Sequence, residues 1–152
     1  MNPQGAQHYL RTKVLTATPE QLQMMLFDGA IRFCEQARVA LLEKKFDVSY
    51  KTIVSAQKIV SELSSSMKRD LTPELCKNLA SIYNYAYKKL LDANLKHNID
   101  SLDEAIRMIK YQRESWSILM QKLAKEKAGN AARSLDIPGP NERMEATISM
   151  QG

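Results

Sequence analysis

Glycine and proline are scarce in this 152-residue chain, at 5 each. An all-β protein needs a turn every 8–12 residues or so, and those turns draw heavily on Gly and Pro. The shortage weighs against strands and favours helix. Cysteine and histidine are rarer still, at 2 each. Cys34 and Cys76 fall on different expected helices, and in a reducing compartment each reads as a small buried hydrophobe rather than half of a disulfide. No run approaches the roughly 18 consecutive apolar residues that crossing a bilayer requires. The opening Met1–His8 carries neither the basic stretch nor the apolar stretch of a secretory signal. The expectation is a cytoplasmic protein without membrane insertion.

Charge of one sign is not concentrated either. Lys and Arg number 22 against 17 Asp and Glu, a net +5. The basic residues are interleaved with Glu35, Glu43, Glu62, Asp92, Glu104 and Glu114, and pairs such as Lys44-Lys45 and Lys88-Lys89 are the longest blocks. Phosphate binding needs a continuous basic stripe, so no nucleic-acid partner is expected. A carboxylate-bridged metal pair inside a helical bundle would need Glu-x-x-His motifs, and neither His8 nor His97 follows a Glu by three residues. No catalytic triad, phosphate-binding loop or dinucleotide fingerprint is present. These absences exclude most enzyme classes, and no catalytic residue, metal or cofactor is expected. His8 falls in an arm expected to be irregular, and His97 in a turn.

What the chain does contain is helical periodicity. Leu22, Met25, Leu26, Gly29, Ala30, Phe33, Ala37 and Leu41 recur at steps of 3 and 4 and predict a core-facing stripe. The helix opens at Thr18-Pro19-Glu20-Gln21, where Thr caps, Pro suits the first helical position and Gln completes a capping box. A second stripe runs Ile53, Ala56, Val60, Leu63 and Met67, with Asp47 as its expected cap. A third, after Thr72-Pro73-Glu74, runs Leu75, Leu79, Ile82, Ala86, Leu90 and Ala93; a fourth runs Leu102, Ala105, Ile106, Ile109, Trp116, Met120 and Leu123, which places Trp116 in the core. The spacing predicts helices over about 18–42, 47–68, 72–95 and 100–126. Short connections force consecutive helices antiparallel, so the expected fold is an all-α, up-down-up-down four-helix bundle over residues 1–127. A mobile N-terminal arm, 1–17, precedes it. Beyond Lys127 the periodicity fails, and 128–152 is expected as a flexible, disordered tail.

Some apolar residues do not fit the stripes. With Leu22 set at 0°, Met24, Phe27 and Ile31 lie at roughly 200°, 140° and 180°, opposite the expected core. Tyr50 and Val54 stand beside the second stripe, and Tyr87 and Leu91 beside the third. A second apolar face on a bundle helix suits a groove for an amphipathic partner segment. Pairing with another copy of the chain is the competing use of the same face. Gly29, mid-helix where Gly costs about 1 kcal/mol relative to Ala, is expected to serve close helix packing.

Tyr9, then Val14-Leu15-Thr16-Ala17-Thr18-Pro19-Glu20-Gln21-Leu22, then Met25-Leu26-Phe27-Asp28-Gly29-Ala30-Ile31-Arg32-Phe33 resembles the opening of the flagellin-specific export chaperones, the FliS family. Ala56-Gln57-Lys58-Ile59-Val60-Ser61-Glu62-Leu63, Leu79–Tyr85 and Leu90–Leu95 continue the resemblance in order and spacing, over roughly residues 9 to 120. The resemblance implies a bundle chaperone without catalysis. Such a protein holds the disordered C-terminal segment of flagellin, prevents premature polymerisation and presents the client to the flagellar type III export gate. It also implies that the region around Tyr9, including Val14 and Leu15, covers the binding surface. A monomer or weak homodimer is expected.

Overall fold

A computed structural model describes residues 3–67 and 73–136. All secondary structure among the described residues is α-helical: α1, Pro3–Thr16; α2, Pro19–Leu42; α3, Phe46–Ser65; α4, Pro73–Lys96; α5, Ile99–Asp136. The chain divides into two compact units, Met1–Trp116 and Ser117–Gly152.

Local chemistry sets the helix ends. The Thr18 hydroxyl accepts from the Gln21 backbone N–H at 3.1 Å, and Gln21 Oε1 accepts from the Thr18 N–H at 3.0 Å, the expected capping box, with Pro19 inside it. Asp47 does not cap α3: the cap position is Lys45, with no side-chain bond, and Asp47 sits in the first turn, where its charge favours the helix dipole. Helix α5 starts at Ile99. Asn98 Oδ1 accepts there from the N–H groups of Asp100, at 3.0 Å, and Ser101, at 3.3 Å. The expected cap of α4, Thr72, lies outside the described residues.

Two expectations about the chain ends are corrected. Residues 3–16, expected as an irregular arm, form α1, whose residues are all exposed. Helix α5 continues past 127 to Asp136, so the start of the expected tail is helical. Ala124, Lys125, Glu126, Lys127, Ala128, Ala131 and Ala132 supply enough helix propensity to carry it through Gly129. Residues 137–152 lie outside the description.

The first unit holds the core. Phe27, Ala30, Cys34, Ala37 and Leu41 of α2 meet Ile53, Ala56, Val60 and Leu63 of α3, Tyr83, Ala86, Leu90 and Ala93 of α4, and Leu102, Ala105, Ile106 and Ile109 of α5. The stripes expected on the last three helices account for most of these side chains. Leu75 of the third stripe is instead exposed, Leu79, Ile82 and Met67 are half-buried, and Tyr83 enters the core in their company. Trp116, expected inside, is half-buried against the core, its indole N–H donating to the Glu20 carbonyl at 3.2 Å.

The α2 stripe is rotated from its expected position. Leu22 is exposed and Met25, Leu26 and Phe33 are half-buried, whereas Phe27 is only 2% exposed. Helix α2 has α3 on one side and α5 on the other, and its inward line bisects them along 27, 30, 34, 37 and 41. Gly29 marks the α3 side, where an added Cβ would stand 3.3 Å from Ile59 Cδ1. Close packing at Gly29 is therefore realised against α3.

Pairings between helices fix their directions. Asp28 with Arg113, Glu35 with Lys110 (3.3 Å) and Arg38 with Asp103 (2.7 Å) run α2 and α5 antiparallel. Tyr85 with Glu104, and Asp92 with Ser101, do the same for α4 and α5. At one end the Phe46 ring stacks on His97, with centroids 3.8 Å apart and planes 5° from parallel, joining the α2–α3 connection to the α4–α5 connection.

Candidate partner-binding grooves

The residues expected to bind a partner are distributed over three places. Tyr9, Val14 and Leu15 are exposed on α1, Leu15 at 74%. Met24 and Ile31 are half-buried on α2. At 100° per residue they share a side of that helix with Asp28, Glu35 and Arg38, the residues paired to α5. That seam is closed by three ion pairs. Tyr50, Tyr87 and Leu91 are exposed and Val54 half-buried, on α3 and α4.

Phe27 is corrected. Its ring lies in the core, among the largest fully buried side chains, and offers no surface to a partner. The expectation failed because α2 carries bulky apolar residues around most of its circumference, so periodicity alone did not say which ones faced inward.

The α3–α4 seam is open. A groove of about 510 Å³ lies between these helices, lined by Val60, Ser61 and Ser64 from α3 and by residues including Lys77, Asn84 and Tyr87 from α4. Tyr87 was singled out in the sequence; the serines and Asn84 were missed. Their signal was present, because Ser61 and Ser64 continue the Tyr50, Val54, Gln57 stripe at steps of 4, 3, 4 and 3. Phe46 begins the same stripe, four residues before Tyr50. The seam therefore has an apolar half near Phe46, Tyr50, Val54 and Leu91, and a polar half near Ser61, Ser64, Ser81 and Asn84.

Burial and hydrogen bonding shift several groups. Burial pushes the Cys34 thiol up to about 12, with the neighbouring Glu35 charge adding to the rise, so it stays a protonated core side chain. Burial also raises the Tyr83 phenol. The Tyr85 hydroxyl, which donates to Glu104, holds that carboxyl below its usual range, with Lys89 contributing second. Among the described residues no cluster of His, Cys, Asp and Glu is placed to hold a metal ion, and no helix is long and apolar enough to cross a membrane.

The fold is that of flagellar chaperones: a solved flagellar chaperone from bacteria superimposes with a TM-score of 0.64, covering 80% of this chain and 99% of that one at 14% identity. The family model described as flagellar protein FliS matches residues 1–123, and the chain belongs to the FliS family. Among its relatives, the flagellar secretion chaperone FliS of Bacillus subtilis (strain 168) is 30% identical over 129 residues, 85% of this chain and 94% of the relative. That of Salmonella typhimurium is 28% identical over 118 residues, 77% and 87%. Chaperone work in flagellum biogenesis is the role these matches support.

Proposed function

We propose that this protein is a cytoplasmic export chaperone that binds the disordered C-terminal segment of flagellin, prevents its premature polymerisation and delivers it to the flagellar type III export gate, without catalysis. The observation that carries this reading is membership of the FliS family across residues 1–123. In this reading the four long helices α2–α5 form an antiparallel up-down-up-down bundle, which suits the pairings between them. The client lies first along the α3–α4 seam, over Tyr50, Val54, Tyr87 and Leu91. Met24 and Ile31 offer a secondary contact on the α2–α5 seam. Helix α1, with Tyr9, Val14 and Leu15 all exposed, is the movable cover.

A client that self-associates through apolar helices finds an alternative surface along such a seam, with anchors at 3 and 4 residue spacing. Folding on the chaperone spends part of the interaction energy on ordering the segment, which keeps release feasible.

The test is isothermal titration with a peptide covering the C-terminal region of the host's flagellin, with circular dichroism on the same mixture. One-to-one, sub-micromolar binding with a gain in helix is expected; a flat titration overturns the reading. The double variant Tyr50→Asp, Tyr87→Asp alters exposed side chains and should retain the helical spectrum while losing the peptide. Undiminished binding by that variant would remove the α3–α4 seam from the site.

A further inference from the structure

Gln57 is the buried polar group that the fold does not explain. It is only 7% exposed, and its Nε2 is sealed from solvent with no hydrogen-bond acceptor among the described residues. Native proteins satisfy nearly all such groups, and an exception calls for a reason. Position supplies one. Gln57 lies on the α3 stripe between Val54 and Ser61, on the side turned to α4. Phe46 meets His97 at one end of the α3–α4 seam, and Ser64 lines the groove with Lys77 and Ala80 at the other. Gln57 therefore falls at about the level of Ala86 and Tyr87, where the apolar half of the seam gives way to the polar half.

We infer that Gln57 is a specificity-determining residue of the client groove: its amide N–H receives a carbonyl oxygen of the bound segment where that segment's apolar helix ends. The inference rests on the functional reading above. A peptide helix uses its own carbonyls internally except for the last four, which need outside donors. A helix lying over Tyr50, Val54 and Leu91 and stopping at Gln57 brings those carbonyls to the one donor of the seam that is sealed from water and lacks an acceptor among the described residues. The chain beyond then passes over Ser61, Ser64, Ser81 and Asn84, which offer polar groups to a non-helical backbone. Glutamine has three side-chain torsions, so the amide can turn outward once an acceptor is present. The arrangement selects direction as well as composition: the client helix runs parallel to α3, its C-terminal end at Gln57.

The test compares wild type with Gln57→Leu, similar in bulk but without the N–H, using the flagellin C-terminal peptide. Because a sealed, unpaired donor is removed, thermal stability should hold or rise, while peptide affinity falls about tenfold, or about 1.4 kcal/mol. Glu62→Gln, exposed on α3 and turned away from the seam, should change affinity by less than twofold. In ¹H–¹⁵N spectra the Gln57 side-chain amide, identified by its absence from Gln57→Leu, should move downfield on adding peptide. Binding by Gln57→Leu within twofold of wild type, an unmoved amide resonance, or a fall in melting temperature that tracks the affinity loss would each overturn the inference. A wild-type protein that binds no peptide overturns the chaperone reading instead, so the two failures are distinguishable.

Discussion

Phe27 shows how much one side chain contributes in a small core. Its ring is buried among α2, α3, α4 and α5 residues of a single cluster, and Phe→Ala at such a site removes both transfer energy and packing, typically 3–5 kcal/mol. Against a total stability of about 5–15 kcal/mol for a domain, Phe27→Ala should lower the denaturant midpoint sharply without changing the helical spectrum of the remaining folded protein. Phe27→Asp, which would bury a charge, should abolish the cooperative transition altogether. A Phe27→Ala loss below about 1 kcal/mol would contradict the core placement. Cys34, fully buried in the same cluster, takes the place of an apolar residue, and its raised thiol pKa makes it a poor nucleophile. Gly29 acts by absence: the room left by its missing Cβ is occupied from the other side by Ile59.

At the scale of the element, the helix ends are the informative places. Helices α2 and α4 both stop with a residue in the left-handed region, Lys44 (φ 57°) and His97 (φ 51°). After α2, the Lys45 N–H donates to the Ala40 carbonyl at 2.8 Å and the Lys44 N–H to Leu41 at 3.1 Å; after α4, the Asn98 N–H donates to Ala93 at 3.1 Å. These are Schellman closures, which glycine usually makes. A side chain in this conformation costs about 1–2 kcal/mol, part of which glycine returns through greater freedom in the unfolded chain. Lys44→Gly should therefore stabilise the fold by about 1 kcal/mol, read as a higher urea midpoint; a loss of stability would show that the Lys44 side chain has a structural partner. His97→Gly should gain less, because His97 also stacks on Phe46. That stack ties together two connections far apart in sequence, which helix propensity could not foretell.

Across the whole molecule, charged groups tie α5 to its neighbours. Asp28, Glu35 and Arg38 on α2, and Lys89 on α4, all pair with α5. Exposed pairs of this kind contribute about 0–1 kcal/mol each, so their value is in setting register. Glu104 is held below its usual range by the Tyr85 hydroxyl and then Lys89, and Asp92 by the Ser101 hydroxyl and then Lys96. A carboxylate with a depressed folded pKa contributes stability above its unfolded value and loses it as pH falls through the folded one. Tyr85→Phe should therefore melt below wild type at neutral pH, and the gap should close as pH drops beneath the carboxylate range; a gap constant with pH would mean that the hydroxyl acts by packing alone. The number of long helices, their approximate spans, the Thr18–Gln21 cap and three of the four inward stripes were legible in residues 18–116, because helical period and capping are local properties. So was the family, since a run such as Leu15–Phe33 is specific as sequence. The inward face of α2 and the split of the candidate residues among three places were decided only by the tertiary structure, whereas the helix at residues 3–16, exposed throughout, is local structure that its weak apolar pattern did not announce. The period of 3.6 residues says that a helix has faces, but which of them is covered depends on the neighbours that pack against it.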